Sequence, residues 1–166
     1  MPILRGIHDM SASNTWLAGV SLPRPAAGWT DRSLIAFAGP QGEGGLPPSI
    51  TMSRDERATP ADPVGETFEA YVQRQCQVLE ANLPGFQDRK PTPLGAGTSE
   101  ARDSMFTWRS GAVSLTQWVV WLAMKDGTVL TYTATSESSQ YETHRPVFEA
   151  TLRTVGIDAA TFAPRG

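Results

Sequence analysis

The stretch from Val64 to Phe86, VGETFEAYVQRQCQVLEANLPGF, decides how the rest of the chain must fold. At about 100° per residue, Phe68, Tyr71, Val72, Cys76, Val78, Leu79 and Leu83 fall inside one arc of roughly 160°. Glu69, Gln73, Arg74, Gln77 and Glu80 occupy the other side, so the segment reads as an amphipathic helix with one face made for burial. Asp62 is the expected N-cap with Pro63 at the first helical position, and Leu83-Pro84-Gly85 ends the helix. Gln75 breaks the pattern. Its amide lies in the middle of the apolar arc, where lack of a partner costs about 1–3 kcal/mol. A backbone group or a buried water can satisfy it, and so can a polar group on an apolar binding partner.

Upstream of the helix the pattern is extended. Residues 15–22 read as one short strand closed by Pro23 and Pro25, and residues 33–38, introduced by Gly28-Trp29, as a second. Residues 39–48 (GPQGEGGLPP) form a turn-rich connection to a third strand at 49–54, where Ile50 and Met52 share a face. Downstream, residues 87–92 suit a short edge strand because Pro91 and Pro93 cannot serve a central one. Strands follow around 104–109, 113–124 and 128–135. The last two are joined by Asp126-Gly127, a two-residue hairpin signal. A second helix is expected at 143–155, with Pro146 in its first turn and Phe148, Leu152 and Val155 on one face. Strands bunched around two helices give an α+β fold: a mostly antiparallel twisted sheet of about six or seven strands with two main helices packed on it.

The long strand has two faces. Val113, Leu115, Gln117, Val119, Trp121 and Ala123 alternate with Ser114, Thr116, Trp118, Val120, Leu122 and Met124. From Trp118 onward both faces are apolar, so each must be covered, by helices or by a partner. Gln117, like Gln75, is an amide among hydrophobic neighbours. Two such amides suit the core if each finds a backbone group. They equally suit a surface that receives an apolar partner carrying a few polar groups, such as a transmembrane helix held in water.

Composition narrows the function. The 166 residues suit one domain at 15–158, with tails at 1–14 and 159–166. Lys plus Arg number 14 against 17 Asp plus Glu, and the cations are scattered, which disfavours nucleic acid or an anionic membrane as the main partner. Cys76 is alone and reads as a small buried hydrophobe in a reducing compartment. With no signal-peptide pattern and no run of roughly 20 apolar residues, the expectation is a soluble cytoplasmic protein. His8 and His144 are the only histidines, His144 being expected to cap a helix or face solvent, and Asp55, Glu56 and Glu100 are expected in solvent-facing loops. That leaves little material for a catalytic or metal site, and no cofactor is expected.

Gly28-Trp29-Thr30-Asp31-Arg32-Ser33, Ile50-Thr51-Met52-Ser53-Arg54-Asp55, Phe68 to Gln75, and Leu83-Pro84-Gly85-Phe86 occur in an order and spacing that resemble the Eag chaperones of bacterial type VI secretion. These belong to the wider DcrB-like, PsbP-like fold group. The resemblance implies a non-enzymatic, homodimeric cytoplasmic chaperone. Such a protein shields the N-terminal transmembrane region of a PAAR-domain effector and helps load it on the VgrG spike. It further implies a client-binding face made of Leu34, Ala36, Thr51, Gln75, Leu79, Leu83, Val113, Leu115 and Gln117, with the two glutamines as polar contacts. Thr51 stands where the family pattern has a more apolar residue. A DcrB-like domain that binds another protein partner is the alternative.

Overall fold

The computed structural model describes residues 15–17, 20–22, 34–41, 45–57, 65–88, 91–94, 101–124 and 127–154. The expected tails, Asp62, Pro63, Gly28-Trp29, Glu100 and Val155 lie outside the described residues.

Strands β3 (Leu34–Ala38), β4 (Ser49–Glu56), β7 (Ala101–Ser110), β8 (Val113–Ala123) and β9 (Thr128–Glu137) form one antiparallel twisted sheet in the order β3-β4-β9-β8-β7. Two short strands, β5 (Gln87–Asp88) and β6 (Thr92–Pro93), both pair with the outer side of β7. Helices α1 (Phe68–Asn82) and α2 (Tyr141–Thr154) complete the α+β fold. Among the described residues, no helix is long and apolar enough to cross a membrane.

The two-sided hydrophobicity of β8 has a direct cause: the helices pack on opposite faces of the sheet. On one face Tyr71 and Val72 of α1 meet Phe106, Val119, Trp121 and Val129, with Phe68, Cys76, Leu79, Leu83, Phe86 and Trp108 around them. On the other, Phe148 and Leu152 of α2 close over Trp118, Val120, Leu122, Tyr132 and Ala134. A single-residue slip of β8 would exchange these two side-chain sets between the helices, so the packing fixes its register.

Several expectations are corrected. Residues expected as one strand at 15–22 form two, β1 (Thr15–Leu17) and β2 (Val20–Leu22), paired with each other in a separate ribbon. Helix α1 starts at Phe68, with Thr67 as N-cap accepting the Ala70 N–H at 3.2 Å; Gly65, at φ 72°, is left-handed and cannot extend it upstream. The 87–92 edge divides into β5 and β6. The β8–β9 hairpin closes through Met124 N–H to Thr128 O (2.8 Å) and Gly127 N–H to Met124 O (3.0 Å). The antiparallel pairing expected from Asp126-Gly127 is present, and Asp126 itself lies outside the described residues. Helix α2 begins at Tyr141, which puts Pro146 in the second turn, where it removes an interior backbone bond. His144 neither caps nor points freely to solvent: it is half-buried, its ring 6.2 Å from that of Phe148. Asp55 and Glu56 lie in β4, not in a loop; Asp55 is half-buried and Glu56 exposed. Cys76 is half-buried.

Candidate functional site

Strand alternation and register put the sequence-derived residues on one face. Leu34 and Ala36 of β3, Thr51 of β4, and Val113, Leu115 and Gln117 of β8 all point to the side that carries α1. Ala36 is opposite Thr51, Thr51 opposite Thr133, and Thr133 opposite Val119, so one continuous row crosses the sheet. In the next row Ser49, Thr135 and Gln117 are neighbours.

Helix α1 does not cover this face evenly, because polar contacts fix its position on both flanks. On one side the Tyr71 hydroxyl donates to Asp55 Oδ2 on β4 at 2.8 Å and is also hydrogen-bonded with Thr131. Burial, reinforced by the Asp55 carboxylate, pushes the Tyr71 pKa up. Arg74 lies 5.1 Å from the Tyr71 ring centroid and donates to Glu66, which raises its own pKa. On the other side Glu69 pairs with Arg102 of β7 at 3.0 Å. The flank that carries Tyr71, Gln75 and Val78 at helical spacing therefore faces β4 and β3. The flank that carries Glu69 faces β7.

Between that first flank and the β3 edge lies a lane floored by half-buried hydroxyl residues: Ser49, Thr51 and Ser53 of β4 and Thr131, Thr133 and Thr135 of β9. Leu34, 57% exposed, and Ala36 border it on one side, Gln75 and Val78 on the other. At one end the Glu137 carboxylate accepts the Leu46 N–H. The lane offers hydroxyl groups on its floor, Leu34, Ala36 and Val78 as apolar residues along its margins, and the Gln75 amide beside Val78. It can receive an elongated, mostly apolar segment with occasional polar groups.

The nine expected residues divide between this lane and the core beneath α1. Leu34, Ala36, Thr51 and Gln75 are on the lane. Leu115 is only 5% exposed, and Leu79 and Leu83 pack against the α1 core, so these three offer little surface. Val113 is half-buried at the far end of β8. Gln117 accepts the Trp108 indole N–H at 3.0 Å, which partly satisfies its amide within the protein. Among the described residues, no side-chain hydrogen bond joins the Gln75 amide to another residue. The hydroxyl floor was not anticipated, although Thr131-Tyr132-Thr133-Ala134-Thr135 shows it as an alternation of hydroxyl and core residues. Val78 was assigned to the buried arc; at its margin, one turn from Gln75, it is 47% exposed.

None of the curated proteins matches the chain. Among solved structures, PA94 of Pseudomonas aeruginosa, a protein of unknown function, is similar over 93% of this chain and 98% of its own, with TM-score 0.67 and 24% identity. LpqN of Mycobacterium tuberculosis, involved in cell envelope biogenesis, aligns over 72% of this chain and 81% of its own, with TM-score 0.40 and 18% identity. The first likeness extends to the whole fold. The DcrB family model matches residues 20–154, most of the length of the chain, and the protein belongs to the DcrB family.

Proposed function

We propose that this DcrB-family protein is a cytoplasmic chaperone of the Eag type. In this reading it binds the N-terminal transmembrane helices of a PAAR-containing type VI secretion effector, keeps them soluble and promotes loading on the VgrG spike, acting as a homodimer and by binding rather than catalysis. The observation that carries the reading is the lane beside α1. A transmembrane helix in water needs its apolar flank covered, at about 25 cal/mol per Å² of apolar surface removed from solvent. Its Ser, Thr or exposed backbone groups also need partners. Leu34, Ala36 and Val78 supply cover, while Thr51, Thr133 and Gln75 supply donors and acceptors.

The test is co-expression with the N-terminal region of a candidate effector. A soluble stoichiometric complex that disappears when the hydrophobic segment is deleted supports the chaperone. Failure to solubilise any such segment, with the protein itself folded, counts against it. The Trp108–Gln117 hydrogen bond favours a second reading, in which Gln117 serves the fold and the domain binds another protein partner.

A further inference from the structure

We propose that the lane beside α1 takes one helical segment of about nine to twelve apolar residues per chain, half of a membrane span and not a complete one. The inference rests on the chaperone reading above and adds the length and number of the segments that one chain can cover.

The lane is bounded by charge at both ends. At one end the Asp55 carboxylate accepts the Tyr71 hydroxyl at 2.8 Å, beside the Glu66–Arg74 ion pair, whose guanidinium lies 5.1 Å from the Tyr71 ring centroid. At the other end the half-buried Glu137 carboxylate holds the Leu46 N–H. Asp55 is opposite Val129, and Glu137 lies eight residues farther along β9, so the two charged rows are about 27 Å apart. Between them the rows Ser53–Thr131, Thr51–Thr133 and Ser49–Thr135 are uncharged.

The uncharged floor from Thr131 to Thr135 is about 14 Å long, which equals about nine residues of helix. A few ångströms of clearance toward each charged row raise this to about twelve. Across the lane, β9, β4 and β3 are successive neighbours, which makes the floor about 10 Å wide. That is room for one helix beside α1 at the usual separation of about 8–10 Å between axes, and not for two.

A membrane-spanning helix needs about 20 apolar residues, about 30 Å of length. Laid in one lane, it would press apolar side chains on Asp55, Glu66 and Arg74 at one end or on Glu137 at the other, and desolvation of those charges opposes the gain from apolar cover. A shorter segment meets only neutral groups, and the polar residues that follow it reach the charged ends. A complete span is therefore shared between two chains, each covering one half.

The experiment is co-expression of this chain with a soluble carrier protein bearing a leucine–alanine segment of roughly 6, 10 or 20 residues, chosen to fall below, within and beyond the length of the lane. Each segment is bounded by Gly-Ser, and the mass of the purified complex is measured by light scattering. The expected result is no complex with the shortest segment, one intermediate segment per chain, and one long segment per two chains. Val78→Arg, at an exposed position that the fold tolerates, is expected to abolish both complexes by placing a charge on the margin of the lane. One long segment per chain, or recovery of the long segment without the intermediate one, overturns the inference and leaves the chaperone reading standing. Undiminished recovery with Val78→Arg also overturns it, because the segment is then held elsewhere. Failure to recover a segment of any length overturns both.

Discussion

The Trp108 indole N–H donates to Gln117 Oε1 at 3.0 Å, across adjacent strands β7 and β8. This bond separates the two glutamines that the sequence presents as equivalent. Gln117→Leu strands the half-buried indole N–H and is expected to cost about 1–2 kcal/mol of stability. Gln75→Leu breaks no bond to the described residues and is expected to leave stability within about 0.5 kcal/mol of wild type. Urea unfolding of the two variants measures the difference directly. Equal losses would show that the indole bond contributes nothing.

Two tyrosines in the α2 core make a similar contrast. The Tyr132 hydroxyl donates to the Phe148 carbonyl at 2.8 Å, whereas the buried Tyr141 hydroxyl has no partner among the described residues. Tyr132→Phe is expected to destabilise by about 0.5–1.5 kcal/mol. Tyr141→Phe is expected to be neutral or stabilising, because it removes a desolvated group that gains nothing in return. Thermal unfolding of the pair checks the order, and a larger loss in Tyr141→Phe would reverse it.

All three tyrosines of the chain, Tyr71, Tyr132 and Tyr141, have pKa values raised above the ordinary 10.0, with burial the largest cause in each. The folded state holds these protons to higher pH than the unfolded chain does. Their contribution is therefore fully present below pH 10.0 and is lost as pH rises beyond it toward the folded-state values. Tyrosinate absorbance should stay absent past the ordinary pKa and then appear together with loss of circular dichroism in one alkaline step. Ionisation of any tyrosine near its ordinary value with the fold intact would contradict this.

On the face away from the lane, the buried Asp103 accepts the Trp118 indole N–H and the Thr92 hydroxyl, each at 3.0 Å. Asp103→Ala leaves the buried indole unpaired and loosens β6 from β7. A cost of about 2–4 kcal/mol is expected, read as a lowered urea midpoint with α1 and its lane retained. A change under about 0.5 kcal/mol would mean that the carboxylate is dispensable.

Much of this fold is legible where one periodicity dominates. The apolar arc from Phe68 to Leu83 marked α1, and the switch to two-sided hydrophobicity at Trp118 indicated cover on both faces, supplied here by the two helices. Boundaries were less legible because single residues decide them: Gly65 in the left-handed region delayed α1, and Tyr141 began α2 ahead of its apolar repeat. The face shared by Leu34, Ala36, Thr51 and Gln117 followed from alternation once the strand order was known, and Gln75 from its helical spacing to Tyr71. Which of them remain on the surface did not. That depends on the tilt of α1, set by Tyr71–Asp55 on one flank and Glu69–Arg102 on the other, contacts between residues far apart in sequence.

The most direct measurement is the yield of soluble complex when this chain is co-expressed with the N-terminal region of a PAAR-containing effector, wild type beside Gln75→Leu. A stoichiometric complex that requires the hydrophobic segment is expected with wild type, and a reduced yield with Gln75→Leu although that variant is as stable as wild type. No complex with any hydrophobic segment, from a protein that is folded, would contradict the chaperone reading. Undiminished yield with Gln75→Leu would contradict the placement of the client in the lane beside α1.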